Sequence, residues 1–367
     1  MFRRIASSLF DELAGLGLLY GVMRAGNRPP RRGPISPIGP AALLSGDPAA
    51  LFGSLPEAAG RFDELTTLPR KEADRVPGCG EALDWAYPSS DQTEFAENQT
   101  VHGRLWRSES AGAPRRAVLA VDGLVQGGFG NLRSLASVCC SAGIDLATID
   151  LPCNHRRTPD GYRPGQLILG GDLPHVLSVL RQAVRDTAAA LRTLIESGAY
   201  PGGVGLAGIS FGGWTALQTA ALLGSVWGER TASRPRFVCG VCPAADLMRA
   251  LTAGGPMVRA ARRNLQLSQA ELNELDAVAA SVRPASFPSP FASRPGGPPR
   301  ILLHAGRYDR FVPNPAIEEL TEIWRGELTW HSTGHMGLAA SLRFLRRVAK
   351  PWTVAELWER SAPPSDL

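Results

Sequence analysis

The stretch Val204-Gly-Leu-Ala-Gly208-Ile-Ser210-Phe-Gly212-Gly-Trp214 decides how the rest of the chain is read. An apolar, strand-like run from Val204 to Ile209 ends at Ser210, and a helix-compatible stretch from Trp214 to Leu223 follows at once. This is a Gly-x-Ser-x-Gly pattern in a strand–turn–helix setting. So sharp a turn forces the serine into a strained backbone conformation, and the small residues at 208 and 212 prevent clashes. The Ser210 hydroxyl then projects above the sheet edge, over a helix N-terminus. The plain alternative is a glycine-rich β–α turn with a capping serine.

Outward from this turn the chain alternates strands with helices. Strand-like runs cover Leu83–Tyr87, Thr100–Arg107, Arg116–Val121, Asp145–Leu151, Arg236–Val241, Arg300–Ala305 and Glu327–His331. Helical patterns cover Leu132–Ala142, Leu173–Ser197, Pro315–Trp324 and Leu338–Val348. Such alternation predicts an α/β architecture with a mostly parallel central sheet and helices on both faces. Residues 247–299 interrupt it with prolines and helical segments, one opened by a capping box at Ser268-Gln-Ala-Glu271. A second capping pattern, Thr353-Val-Ala-Glu356, starts a last helix. The expected organisation is an amphipathic helix and basic Pro-rich arm over 1–35, an extension over 36–81, and the main domain over 82–367. The 247–299 insertion would form a helical lid.

At 367 residues and 44% hydrophobic, the chain can bury a large core. Its net charge is +5, of which residues 1–35 supply +4: six Arg against Asp11 and Glu12. The remainder is nearly neutral, which argues against a nucleic-acid groove. Six cysteines in so long a chain do not suggest a disulfide framework, and the lone Cys239-Gly-Val-Cys242 lacks the second pair a zinc site wants. The cysteines therefore read as buried reduced thiols, which fits a reducing, cytoplasmic compartment. The Met-Phe-Arg-Arg start suggests a signal n-region, but Asp11 and Glu12 break the apolar stretch that should follow. Phe2, Ile5, Leu9, Leu13, Leu16, Tyr20 and Met23 recur at helical spacing. Packing against the main domain is the preferred reading of residues 1–35, and peripheral membrane contact is the alternative.

A serine hydroxyl needs a base. Of the six histidines, His335 in Ser332-Thr-Gly-His-Met-Gly337 follows the final strand and can reach back over the sheet. His102, His304 and His331 lie within strands, and His175 starts a helix. The base needs a carboxylate to hold its tautomer. Asp309 lies on the turn after the strand Arg300–Ala305 in the expected order of serine, acid, histidine, with Asp246 as the competing acid. Backbone donors for an oxyanion are expected at Phe211 and at Leu124, in the loop Asp122-Gly-Leu-Val-Gln-Gly-Gly-Phe-Gly130. The loop Leu151–Gly165 offers His155 and Arg157 as substrate-binding candidates, Arg157 for an anionic group. A solvated charged loop is the alternative there.

The Ser210 turn, the Asp309 turn and Gly334-His335 resemble the α/β-hydrolase fold superfamily over roughly residues 82–350. A narrower resemblance, to the abhydrolase domain-containing protein 18 family, rests on four features. They are Asp309-Arg-Phe-Val-Pro313, Ile323-Trp-Arg-Gly-Glu327, Gly334-His335 and the Leu151-Pro…Arg157-Thr-Pro159 loop, with weaker likeness at Phe10-Asp11…Leu18-Leu19-Tyr20. The superfamily resemblance implies a Ser210–His335–Asp309 triad without metal or organic cofactor. The expected function is a serine hydrolase that cleaves a small-molecule carboxylic ester through an acyl-enzyme. Thioester hydrolysis or acyl transfer would use the same residues. A non-catalytic binding protein that keeps the fold is the alternative from another class.

Overall fold

The computed structural model describes residues 11, 40–58, 75–110, 114–124, 128–169, 173–228, 234–247, 249–250, 278–291 and 300–344. Its strands are β1 (Cys79–Pro88), β2 (Thr100–Ser108), β3 (Ala117–Val121), β4 (Asp145–Ile149), β5 (Val204–Ile209), β6 (Val238–Val241), β7 (Ile301–Gly306) and β8 (Glu327–His331). They form one sheet in the order β1-β2-β4-β3-β5-β6-β7-β8. β1–β2 and β2–β4 pair antiparallel, and every other neighbouring pair is parallel. Every residue of β3, β4 and β5 is buried. Parallel strands covered on both faces must be apolar on both, which is why they read as unbroken apolar runs.

The helices are α1 (Pro40–Leu43), α2 (Pro48–Phe52), α3 (Gly130–Ser141), α4 (Gln166–Leu169), α5 (Leu173–Glu196), α6 (Phe211–Gly224), α7 (Asn314–Trp324) and α8 (His335–Phe344). Alternation along the strands divides the interior into two cores. Ala117, Leu119 and Val121 of β3 face the side where α5, α6 and α7 contribute Leu177, Leu191, Trp214, Leu217 and Ile317. Val118 and Ala120 face the other side, against Leu132 and Leu135 of α3 and Leu338 of α8. Helix α8 begins at His335 rather than at Leu338, so this histidine stands on the first turn of a helix and not on a free loop.

The extension before β1 is tied to α5 by arginines. Arg185 donates to the carbonyls of Phe52 (2.7 Å) and Ser54 (2.5 Å), and Arg181 donates to that of Leu51. Both arginines also pair with Asp91. Among the described residues no helix is long and apolar enough to cross a membrane. The amphipathic helix and basic arm expected over 1–35, apart from Asp11, the capping boxes at 268–271 and 353–356, and most of the 247–299 insertion lie outside the described residues.

Two expectations need correction. Cys79, at the start of β1, and Cys140, near the end of α3, form a disulfide, while Cys139, Cys153, Cys239 and Cys242 are buried outside any disulfide. The partners lie 61 residues apart, and only the folded sheet brings them together. Arg157 is fully buried and does not offer its guanidinium to a ligand. It bonds Asp186 Oδ2 (2.8 Å) and the carbonyls of Asp150 (3.0 Å) and Asn98 (2.9 Å). Asp186 Oδ1 in turn accepts from Ser89 Oγ and from the Ser90 amide and hydroxyl. Burying two charges is tolerable only where they pair, as Arg157 does through both terminal nitrogens while its Nε is left without a partner. Asp186→Ala would leave Arg157 uncompensated and is expected to cost about 3–5 kcal/mol. Urea unfolding should show a lower midpoint at unchanged slope.

Candidate active site

β5 delivers Ser210 to the carboxyl edge of the sheet, and α6 begins at the next residue. Ser210 has φ 55° and ψ −116°, a left-handed conformation that costs a non-glycine residue about 1–3 kcal/mol. Its neighbours hold it there: the Ser210 amide donates to the Val241 carbonyl (2.9 Å), and its carbonyl accepts from the Trp214 (3.0 Å) and Ala244 (3.2 Å) amides. A Cβ on Gly208 would overlap the Gly212 backbone, and one on Gly212 would overlap the carbonyls of Val121 and Asp122. The turn therefore lies flush against the end of β3, where the Asp122–Leu124 segment begins.

The ring of His335 bridges two partners. Nε2 stands 2.9 Å from Ser210 Oγ, and Nδ1 stands 2.8 Å from Asp309 Oδ2. Asp309 follows β7, and its side chain is fully buried. Its other oxygen accepts the Phe311 (2.8 Å) and Val312 (2.9 Å) amides. With one carboxylate oxygen held by the loop, the other is fixed toward the imidazole. Phe311 stacks on the His335 ring at 4.7 Å and 19°, which orients it further. Burial works against the charged form of His335. Asp309, together with Cys242 next to the ring, outweighs burial and holds the His335 pKa well above the ordinary imidazole value.

Asp246, the competing acid, is not brought to His335. It pairs with Arg283 (3.4 Å) and accepts the Arg249 amide (2.8 Å). His304 and His331 meet each other instead, Nδ1 to Nε2 at 3.1 Å. Burial, then the neighbouring His331, lowers the His304 pKa to about 4. The pair is thus a neutral packing element.

A cavity opens where β3 and β4 end, lined by Asp122, Gly123, Phe129, Asp150, Asn154 and His155 among others. His155 sits there at φ 46°. Its Nδ1 is 3.0 Å from Asp150 Oδ1, and its ring meets Phe129 edge-on at 4.9 Å. Arg156 holds the second oxygen of Asp150 at 3.1 Å. Of the two substrate-binding candidates, His155 therefore lines a cavity and Arg157 does not. Phe211 packs its side chain on Trp214 at 5.4 Å, at the start of α6. Leu124 lies on the segment leaving β3.

Sequence reasoning missed Phe311, Cys242 and above all Asp11, whose carboxylate reaches the backbone of His335. Gly334 reads as a loop residue, so no local signal marks the missing cap of α8. Among the described residues no group of three or more His, Cys, Asp or Glu side chains is arranged to hold a metal ion.

No known protein family matches the chain by sequence, and no curated protein does. Solved structures do. An acetyl xylan esterase from Paenibacillus sp. R4 is 19% identical, with a TM-score of 0.55 over 91% of this chain and 99% of that one. EstE1, a thermophilic carboxylesterase cloned from a metagenomic library, is 16% identical, with a TM-score of 0.51 over 79% of this chain and 92% of that one. Strand order, the Ser210 turn and these likenesses give the chain the α/β-hydrolase fold.

The strain at Ser210 makes a prediction independent of any activity. Glycine adopts positive φ freely, whereas alanine retains a Cβ. Ser210→Gly is expected to be about 1 kcal/mol more stable than Ser210→Ala. Thermal unfolding of the two variants side by side checks this.

Proposed function

We propose that the chain is a serine hydrolase that cleaves carboxylic esters, with Ser210 as nucleophile, His335 as general base and acid, and Asp309 as the carboxylate that orients it. One observation carries the reading: a single imidazole lies within hydrogen-bond distance of both the strained serine and a buried carboxylate. Ser210 Oγ attacks the ester carbonyl carbon while its proton passes to His335 Nε2. The carbonyl oxygen becomes an oxyanion, received by the amides of Phe211 and Leu124. The intermediate collapses to an acyl-serine, and the leaving alcohol takes the proton from Nε2. Water repeats the sequence, with His335 again accepting the proton, and releases the acid. Asp309 stays ionised throughout and stabilises the imidazolium.

His155, on the wall of the small cavity beside the Asp122–Leu124 segment, would be a polar contact for the substrate. The esterase fold neighbours are in keeping with an ester, and the apolar 247–299 insertion with a hydrophobic acyl portion under a lid. A thioesterase or an acyltransferase would use the same three residues.

A fluorophosphonate probe is expected to label the wild type but not Ser210→Ala, and His335→Ala should abolish ester turnover. Labelling that persists in Ser210→Ala, or no labelling of folded wild type, overturns the proposal. Neutral His335 is the active base, so activity falls as pH drops through its raised pKa. The acidic limb of kcat/KM should thus lie above the usual imidazole value of about 6.5. Asp309→Asn removes the charge that raises it. The limb should move to lower pH and kcat should fall by roughly 10⁴-fold, read with a chromogenic ester across pH.

A further inference from the structure

The helix that carries His335 has no cap of its own. Its first residue is His335, and the residue before it is Gly334, which has no side chain to offer the first-turn amides. The first amides of any helix lack partners within it. Here they are met from 324 residues away, by Asp11. The Asp11 carboxylate is fully buried. Its Oδ2 accepts the His335 amide at 2.7 Å, and its Oδ1 accepts the Met336 amide at 3.0 Å. Oδ2 also accepts the Arg310 amide at 3.3 Å, on the turn that bears Asp309. The missing side chain at 334 is what admits it: a Cβ there would overlap the carboxylate.

We propose that Asp11 is a positioning residue for the Ser210–His335–Asp309 site, a carboxylate that clamps the backbone of His335 to the backbone of the Asp309 turn. The proposal rests on the reading of that site as a hydrolase triad. An ordinary cap would bind one helix end alone. This one joins the two segments whose separation sets the Nδ1–Oδ2 distance. It also puts a second buried carboxylate near the imidazole, after Asp309. Facing His335 are Asp309 from the turn after β7, Cys242 after β6, Ser210 at the end of β5, and Asp11. Asp11 and His335 interact favourably as ions, and Asp11 and Asp309 unfavourably. Burial, the largest influence, raises the Asp11 pKa, and the two helix amides oppose it.

Asp11→Ala removes both the clamp and the charge. Asp11→Asn keeps one accepting oxygen but turns an N–H₂ toward the remaining amides. Misplacing a catalytic group by a fraction of an ångström is expected to lower kcat/KM per labelled active site by about 10- to 100-fold in Asp11→Ala, and by less in Asp11→Asn. In both variants the acidic limb of kcat/KM should move to lower pH, because a negative charge near the imidazolium is gone. The same shift should appear when His335 is titrated by NMR in the full-length protein. A cap that served stability alone would lower the melting temperature and leave both titrations where they are, and that outcome overturns the proposal. So does a wild-type rate per active site. Fluorophosphonate labelling of wild type reports on the hydrolase reading itself. The NMR titration needs no turnover, so failure of the Asp11 proposal is distinguishable from failure of that reading.

Discussion

The crossing from β5 into α6 leaves no room for a side chain, and much of the site follows from that constraint. Gly208 and Gly212 are backbone against backbone, so the chain can reverse within a single residue. That residue must then accept a positive φ, which lifts the Ser210 hydroxyl clear of the sheet. The same closeness presses α6 against the carbonyls that end β3, and so places the Asp122–Leu124 segment beside Ser210. A bulkier turn would have set these parts several ångströms apart. The strain is retained because the amide and carbonyl of Ser210 are both tied to neighbouring segments.

Around that turn the arrangement is a set of ring and carboxylate supports acting on one histidine. Asp309 holds its Nδ1, Phe311 lies flat on its ring, and Asp11 holds its backbone. Two separate chain segments, the turn after β7 and the one that bears Asp11, thus hold His335. Opposing influences on its charge meet there as well, since burial disfavours the imidazolium and Asp309 favours it. An imidazole in this setting stays protonated to higher pH than a free one.

Much of this was legible from local sequence. The strands of the sheet repeat as apolar runs, because parallel strands buried on both faces have little choice of residue. Ser210 announced itself by its flanking glycines, and Asp309 and His335 by their places after β7 and β8. What was not legible depends on distant partners. Arg157 reads as a loop cation because nothing near it in sequence reveals Asp186 on α5. Cys79 and Cys140 read as free thiols because their spacing carries no signal until β1 meets α3. Asp11 reads as an interruption in an apolar stretch, since its partners are backbone amides and leave no mark in residue identity. The start of α8 was placed late for a related reason: the glycine at 334 looks like a loop residue until its distant cap is seen.

The tie between Asp11 and His335 has a consequence for biosynthesis. A ribosome adds about 5–20 residues per second, so the 324 residues between them take roughly 15 to 65 s to make. Throughout that interval the Asp11 carboxylate lacks the His335 and Met336 amides. Ser210 and the strands β1 to β6 precede Asp309 and His335 in the chain, and only once these are made does Asp11 meet its partners. The contact between Asp11 and His335 therefore closes only after every strand from β1 to β8 has been made.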